Sequence, residues 1–173
     1  TPDPLLTKQR GIPNACNRCH TDKDTDWALA FCDQWYGRRM DRPSRSRTQC
    51  IAAAREGDDT ARDRLVEMLE GQESPYWKGV ATRMLERWIA EPRVARAVMQ
   101  QTQHTNALVR TAAAHALELL LAAERADARA ALELLLSDPV RSVRVAAAWA
   151  LRASVDFGSL AGTEMRQMLD ASA

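Results

Sequence analysis

Much that would point to a familiar chemistry is missing from this 173-residue chain. No run of apolar residues approaches the ~20 needed to cross a bilayer, since "LELLLAAERA" breaks after a few leucines. No sign of charge dominates: 24 basic and 23 acidic residues leave a net charge of +1, so no global field steers the chain to nucleic acid or an anionic surface. Lysine is scarce. Only Lys8, Lys23 and Lys78 stand against 21 arginines, a bias to which no function is assigned. Four cysteines are too few for a disulfide framework. There is no P-loop, no G-x-G-x-x-G, no H-E-x-x-H and no nucleophile elbow. Neither a signal peptide nor an initiator Met is present; the opening "TPDPLLTKQRGIP" is what a mature form or an excised fragment would show.

What is present falls into two parts, 1–45 and 46–173. Residues 1–24 hold Pro2, Pro4, Gly11 and Pro13 without sustained periodicity, which predicts an extended arm. A helix follows, capped by Asp24 or Thr25, with Trp27, Phe31 and Trp35 at i, i+4 and i+8 and Gly37 at its end. Asp24 and Asp26 read as helix-start residues that favour the dipole. Five arginines between 38 and 47, around Pro43, read as a solvated linker, with bidentate pairing to buried carboxylates such as haem propionates as a secondary role.

From 46 onward the pattern is helical and repetitive. Helices are predicted at 46–56, 58–70, 75–90, 92–102, 106–121, 124–136, 139–153 and 161–170. "NALVRTAAAHALELL" and "DPVRSVRVAAAWALRA" align thirty-four residues apart, with Val109-Arg110 over Val143-Arg144 and Leu117 over Leu151. "YWKGVATRMLERW" fits thirty-two residues earlier, with Ala81 over Ala113. Each such helix has a partner before it, so the fold class is all-α: a short arm and helix, then an α-solenoid of stacked helix pairs. Asp138-Pro139 is read as an N-cap followed by Pro at the first helical position, and Asn106 caps one repeat earlier. These repeats resemble HEAT repeats, whose second helix carries D-P-x-x-V-R-x-x-A-x-x-A-L. The first is degenerate: Pro75 replaces Asp-Pro, and Lys78-Gly79 stands where Val-Arg would be. That fold implies scaffolds and binding surfaces rather than a particular chemistry.

The one motif with chemistry is Cys16-Asn17-Arg18-Cys19-His20. C-x-x-C-H is the attachment sequence of c-type haem: two thiols spaced for the vinyl groups, and a histidine placed beneath the ring as proximal iron ligand. A zinc site would need a fourth ligand and an awkward adjacent Cys-His chelate. A thioredoxin-type reading lacks the βαβ context. Chance pairing is the remaining alternative. Cys32 and Cys50 are expected as separate buried thiols, with pairing in an oxidising compartment as the alternative.

The flanks extend the motif. Gly11, Pro13, Asn14, Ala15, Cys16, Cys19, His20, Asp22, Lys23, Trp27, Ala28, Trp35, Tyr36 and Gly37 fit G-x-P-N-A-C-x-x-C-H-x-D-K, a W-A helix and W-Y-G. That pattern resembles the last haem-binding segment of multihaem c-type cytochromes that continue into a HEAT-like domain. The resemblance implies haem c as covalent cofactor on Cys16 and Cys19, with His20 as proximal ligand. It implies electron transfer within a larger multihaem chain, a bacterial periplasmic or otherwise extracytoplasmic location, and redox proteins or other haem domains as partners. Trp27, Phe31 and Trp35 are candidates to pack on a macrocycle edge. A bis-histidine iron leaves His104 and His115 as distal candidates, with Met40 the nearest methionine, and the distal ligand is expected in sequence upstream of this segment. A chain made without c-type maturation is expected to fold without haem. Two other readings stand beside it: a HEAT-type scaffold with a protein ligand on its face and the motif structural, and an oxidoreductase with an open sixth iron position. No nucleic acid or membrane span is expected, and no catalytic residue is assigned.

Overall fold

A computed structural model describes residues 3–40 and 43–171. Among these the chain is all-α, with eleven α-helices, three 3₁₀ segments and no strand. Contacts gather residues 1–61 and 62–173 into two compact units.

The first unit begins with α1 (Pro4–Arg10), where an extended arm was expected. Pro4 and Gly11, which looked like breakers, are the start and stop of this helix. Proline suits a first helical position, and Gly11 adopts the left-handed conformation (φ 66°) that lets its N–H reach Thr7 O at 2.9 Å. Seven residues are too few to show a hydrophobic period. After it come α2 (Cys16–Cys19) and α3 (Thr25–Tyr36), the latter capped by Asp24, whose carboxylate accepts from Trp27 N at 2.7 Å. Asp26, in the first turn, also pairs with Lys8. Gly37 ends the helix and a 3₁₀ segment, Gly37–Met40, follows.

The arginine-rich stretch is not a linker beyond Pro43. That proline opens α4 (Pro43–Glu56), which places Arg45 against Asp3 in a two-bond pair of 2.8 and 2.9 Å. Both side chains are mostly buried, so the carboxylate that this arginine finds belongs to its own unit. Arg38 and Arg39 are exposed, and Arg42 lies outside the described residues.

The remaining helices are α5 (Thr60–Glu70), α6 (Pro75–Met84), α7 (Pro92–Gln100), α8 (Ala107–Leu121), α9 (Ala126–Leu135), α10 (Arg141–Ala150) and α11 (Leu160–Asp170). α6 and α7 are shorter than their sequence pattern because their last turns tighten into 3₁₀ segments at Leu85–Trp88 and Gln101–Gln103. α7 pairs with α8 and α9 with α10, and α8 packs against both α6 and α10. Its alanines permit the approach: Ala113 and Ala114 are fully buried, as are Ala147 and Ala148 on α10. Leu65, Leu85, Val98, Leu117 and Leu132 fill the layers.

The Val-Arg signature has a physical cause. Arg110 donates to the carbonyls of His104 and Thr105 (2.8 and 3.0 Å) and makes a two-bond pair with Asp138 (2.7 and 2.9 Å). Thirty-four residues on, Arg144 donates to the carbonyls of Asp138 and Pro139 (2.7 and 3.1 Å) and pairs with Glu164. Each guanidinium thus ties the turn before its own helix to a carboxylate further along the chain. In the degenerate repeat the Val-Arg positions fall on Trp77-Lys78, one residue earlier than the Lys78-Gly79 read from sequence, and Lys78 donates to Leu69 O at 2.7 Å.

Asp138-Pro139 does not open the helix as expected. Asp138 accepts from Val140 N at 2.8 Å in an Asx turn, and α10 begins only at Arg141. Asp138 stands two residues before the N-cap residue, Val140, and Arg110 engages both of its carboxylate oxygens. Asn106 does cap α8, accepting from Leu108 N.

Candidate functional site

Within the first unit, α2 and α3 enclose an open cavity of about 290 Å³ lined by both motif thiols, His20, the α3 aromatics and Cys32. Cys16 and Cys19 are the first and last residues of the one-turn helix α2, and residues three apart share a helix face. His20 sits at its C-terminal cap, its N–H bonded to Cys16 O at 2.9 Å.

Two asparagines hold that turn. Asn14, buried, accepts from Asn17 N at 3.1 Å and donates to Thr7 Oγ1 and Asn17 Oδ1, both at 2.9 Å. Asn17 then donates to the carbonyls of Lys23 and Asp24 (2.8 and 3.2 Å), pinning α2 to the start of α3. Asn17 occupies one of the two unspecified positions of C-x-x-C-H, so its role was invisible in the motif. The motif thiols and His20 form no ion-binding cluster; among the described residues no group of three His, Cys, Asp or Glu side chains is arranged to hold a metal ion directly.

The far wall is aromatic. His20 packs on Trp27, Trp27 on Phe31 and Phe31 on Trp35, with ring centroids 4.9, 5.0 and 5.4 Å apart. The i, i+4, i+8 stripe read from sequence is therefore one continuous ladder starting at the motif histidine. It is not the core face of α3: Ala28 and Cys32 are buried while Trp35 remains 65% exposed.

Cys32 is the lining residue that sequence reading did not connect to the motif. Its spacing from Ala28, i to i+4, marks a buried helix face, yet nothing in sequence places that face beside Cys16. Cys16 and Cys32 line the same cavity, one from α2 and the other from α3. Burial pushes the Cys32 thiol up, and Cys16 beside it adds to the rise. All four cysteines are thiols, with Cys32 and Cys50 both buried, as expected of separate residues.

The distal candidates lie elsewhere. Met40 is buried in the first unit and does not line the cavity. His104 and His115 belong to the second unit. His104 Nδ1 accepts from Asn106 N at 3.0 Å, the same i to i+2 turn that Asp138 makes one repeat later, so the repeat frame gives this imidazole a structural role. His115 lines an apolar groove of about 490 Å³ with Thr111, Val145, Trp149, Met165 and Met168. Burial lowers its pKa, nearby Arg83 adds to the fall and Glu118 opposes it, which favours the neutral imidazole. His115 and Trp149 occupy equivalent repeat positions, as do Thr111 and Val145; the sequence frame predicts a groove or surface site at the first pair, and both residues line this one.

No helix among the described residues is long and apolar enough to cross a membrane. Comparison with curated proteins gave no significant match, and comparison with solved structures gave none either. The family model for HEAT repeats matches residues 50–153, well over half of the chain and coincident with the helix pairs described above. The chain belongs to the HEAT-repeat family.

Proposed function

We propose that the first unit attaches one c-type haem covalently through Cys16 and Cys19, with His20 as proximal ligand, and serves as an electron-transfer module of a larger multihaem chain outside the cytoplasm. The observation that carries this reading is the convergence of both thiols, His20 and the aromatic ladder on one cavity. A haem bound there supplies a one-electron iron couple. The chain's own residues do the rest. The Asn14–Asn17 network fixes the turn that presents both thiols on one face. Trp27 packs on the His20 ring and limits its rotation. Phe31 and Trp35 offer apolar surface that water otherwise covers, which is the kind of surface a macrocycle edge removes from solvent.

A second reading rests on the family. HEAT repeats suggest a protein-interaction surface. The groove beside His115, where Trp149, Met168 and Leu169 are exposed, is the surface that favours a scaffold with a protein ligand. Expression in a host with active c-type maturation separates the two. The haem reading expects a covalent haemochrome spectrum that disappears when Cys16 and Cys19 are both replaced by Ser. A colourless but fully helical protein from that host overturns it and leaves the scaffold. A carbon monoxide shift of the reduced protein would mark an open sixth position and favour an oxidoreductase.

A further inference from the structure

Attachment of haem uses two of the three thiols in the motif cavity and leaves Cys32 without a role. Its setting is not that of an inert core cysteine. Cys32 is 3% exposed on the third turn of α3, and it forms part of the wall of the cavity that Cys16 also lines. Exposure is graded across the trio: Cys19 is exposed, Cys16 half-buried and Cys32 buried. Of the two possible partners for Cys16, Cys32 is the one on a second helix, lining the same cavity. Cys19 lies three residues along the same short turn and opens to solvent.

We propose that Cys16 and Cys32 form a reversible disulfide, a thiol-modification site that ties α2 to α3 and withdraws Cys16 from any other reaction. The oxidant is a disulfide of the glutathione class. The Cys16 thiolate attacks one sulfur of oxidised glutathione, the glutathione S–S bond breaks, and one glutathione thiolate leaves. The Cys32 thiolate then attacks the Cys16 sulfur of that mixed disulfide and expels the second glutathione. Both cysteine protons end on the two glutathione thiols, and two electrons pass from the protein to the oxidant. A dithiol reductant reverses the sequence by the same exchange. The Asn14–Asn17 network, which fixes α2 against the start of α3, keeps the two sulfurs on one cavity throughout. The bond does not depend on haem attachment, but it meets that reading at Cys16: a chain in this state has to be reduced before Cys16 is available for a thioether.

The test uses the full chain made in a cytoplasm without c-type maturation. The reduced protein is equilibrated with oxidised glutathione, its thiols are blocked, and the disulfide-linked peptides are identified by mass spectrometry without reduction. The expected product is a Cys16–Cys32 peptide pair without retained glutathione. Cys32→Ser, checked for helicity by circular dichroism, should lose that pair and keep glutathione on Cys16 or form Cys16–Cys19 instead. Wild-type protein that yields only Cys16–Cys19, or that leaves Cys32 alkylated as a thiol while Cys16 is oxidised, overturns the proposal whatever the variant does. Haem-bearing protein supplies the control: with Cys16 already in a thioether, Cys32 should remain a thiol under the same treatment. If no haem attaches in the maturation host but the Cys16–Cys32 bond still forms, the haem reading fails and this one stands.

Discussion

The two units bury different things. Residues 62–173 place their large aliphatic side chains inside, with Leu65, Leu85, Leu117 and Leu132 wholly removed from water. In α3, by contrast, the small residues Ala28 and Cys32 are buried while Trp35 stands 65% exposed. Both stretches obey a helical period, so the contrast is not one of pattern but of what the apolar face meets. In the repeats it meets the next helix. In α3 it borders a cavity shared with two thiols and a histidine. The aromatic face of α3 therefore runs from half-buried Trp27 and Phe31 to exposed Trp35, along the cavity rather than into the core.

The largest effect that would sharpen this contrast is expected in the repeats, where layers are tied by buried ion pairs. Asp138→Ala leaves the Arg110 side chain, itself only 12% exposed, without its carboxylate, and it also removes the Val140 turn bond. The cost should be about 3 kcal/mol, at the lower end for a broken buried pair because Arg110 keeps its two carbonyl contacts. The pair also fixes a pH dependence. Arg110 holds the Asp138 carboxyl below its ordinary value of 3.8, and Arg144 does the same for Glu164. Because these folded-state values are depressed, their stabilisation is complete above the ordinary carboxylate range and fades as pH falls through the lowered values. Chemical denaturation between neutral and strongly acid pH should show this loss in the wild type and a shallower one in Asp138→Ala. An unchanged slope would mean that the pair does not hold the repeat layers together.

A sharper comparison sets one apolar truncation in each unit against the other. Leu117→Ala empties a fully buried site at the centre of α8 and should cost about 3 kcal/mol. Trp35→Ala removes a larger side chain, yet with most of it already in water the loss should stay within about 0.5 kcal/mol in haem-free protein. Urea midpoints at constant slope measure both. A Trp35 variant as damaging as the Leu117 variant would break the contrast, because it would make the ladder part of the core.

How much of this was legible beforehand depends on the range of the interaction. The repeat helices were readable because a period of thirty-four residues places equivalent side chains in equivalent layers, and the arginine contacts repeat with the sequence. α1 was not readable, since seven residues between Pro4 and Gly11 carry no period, and the two residues that delimit it look like loop formers. The Arg45–Asp3 pair joins residues far apart in sequence and gives no local sign. Asp138 misled for a related reason: its local sequence says N-cap, while a partner on the preceding repeat decides where its carboxylate goes. At the candidate site the motif and the aromatic stripe were both legible as patterns. That they share a cavity with Cys32 was not, because only the packing of α2 beside α3 brings Cys16 to it.

The smallest effects come from one substitution made in both units, glycine to alanine, with opposite signs. Gly79 lies inside α6 and is buried, and a Cβ there would meet the Leu108 side chain at 3.6 Å, an ordinary van der Waals distance. Alanine at that position keeps the helix, fills the contact and removes the extra freedom of glycine in the unfolded chain, so Gly79→Ala should stabilise by about 0.5–1 kcal/mol. Gly11 is different in kind: nothing lies within 4 Å of its Cβ position, yet its φ of 66° is a conformation that a side chain opposes. Gly11→Ala should therefore destabilise by about 1 kcal/mol through the backbone alone. Thermal midpoints of the two variants, read against the wild type, should move in opposite directions. If both fall, α6 and α8 are packed more tightly than a 3.6 Å contact allows; if both rise, the end of α1 does not hold its left-handed turn in solution.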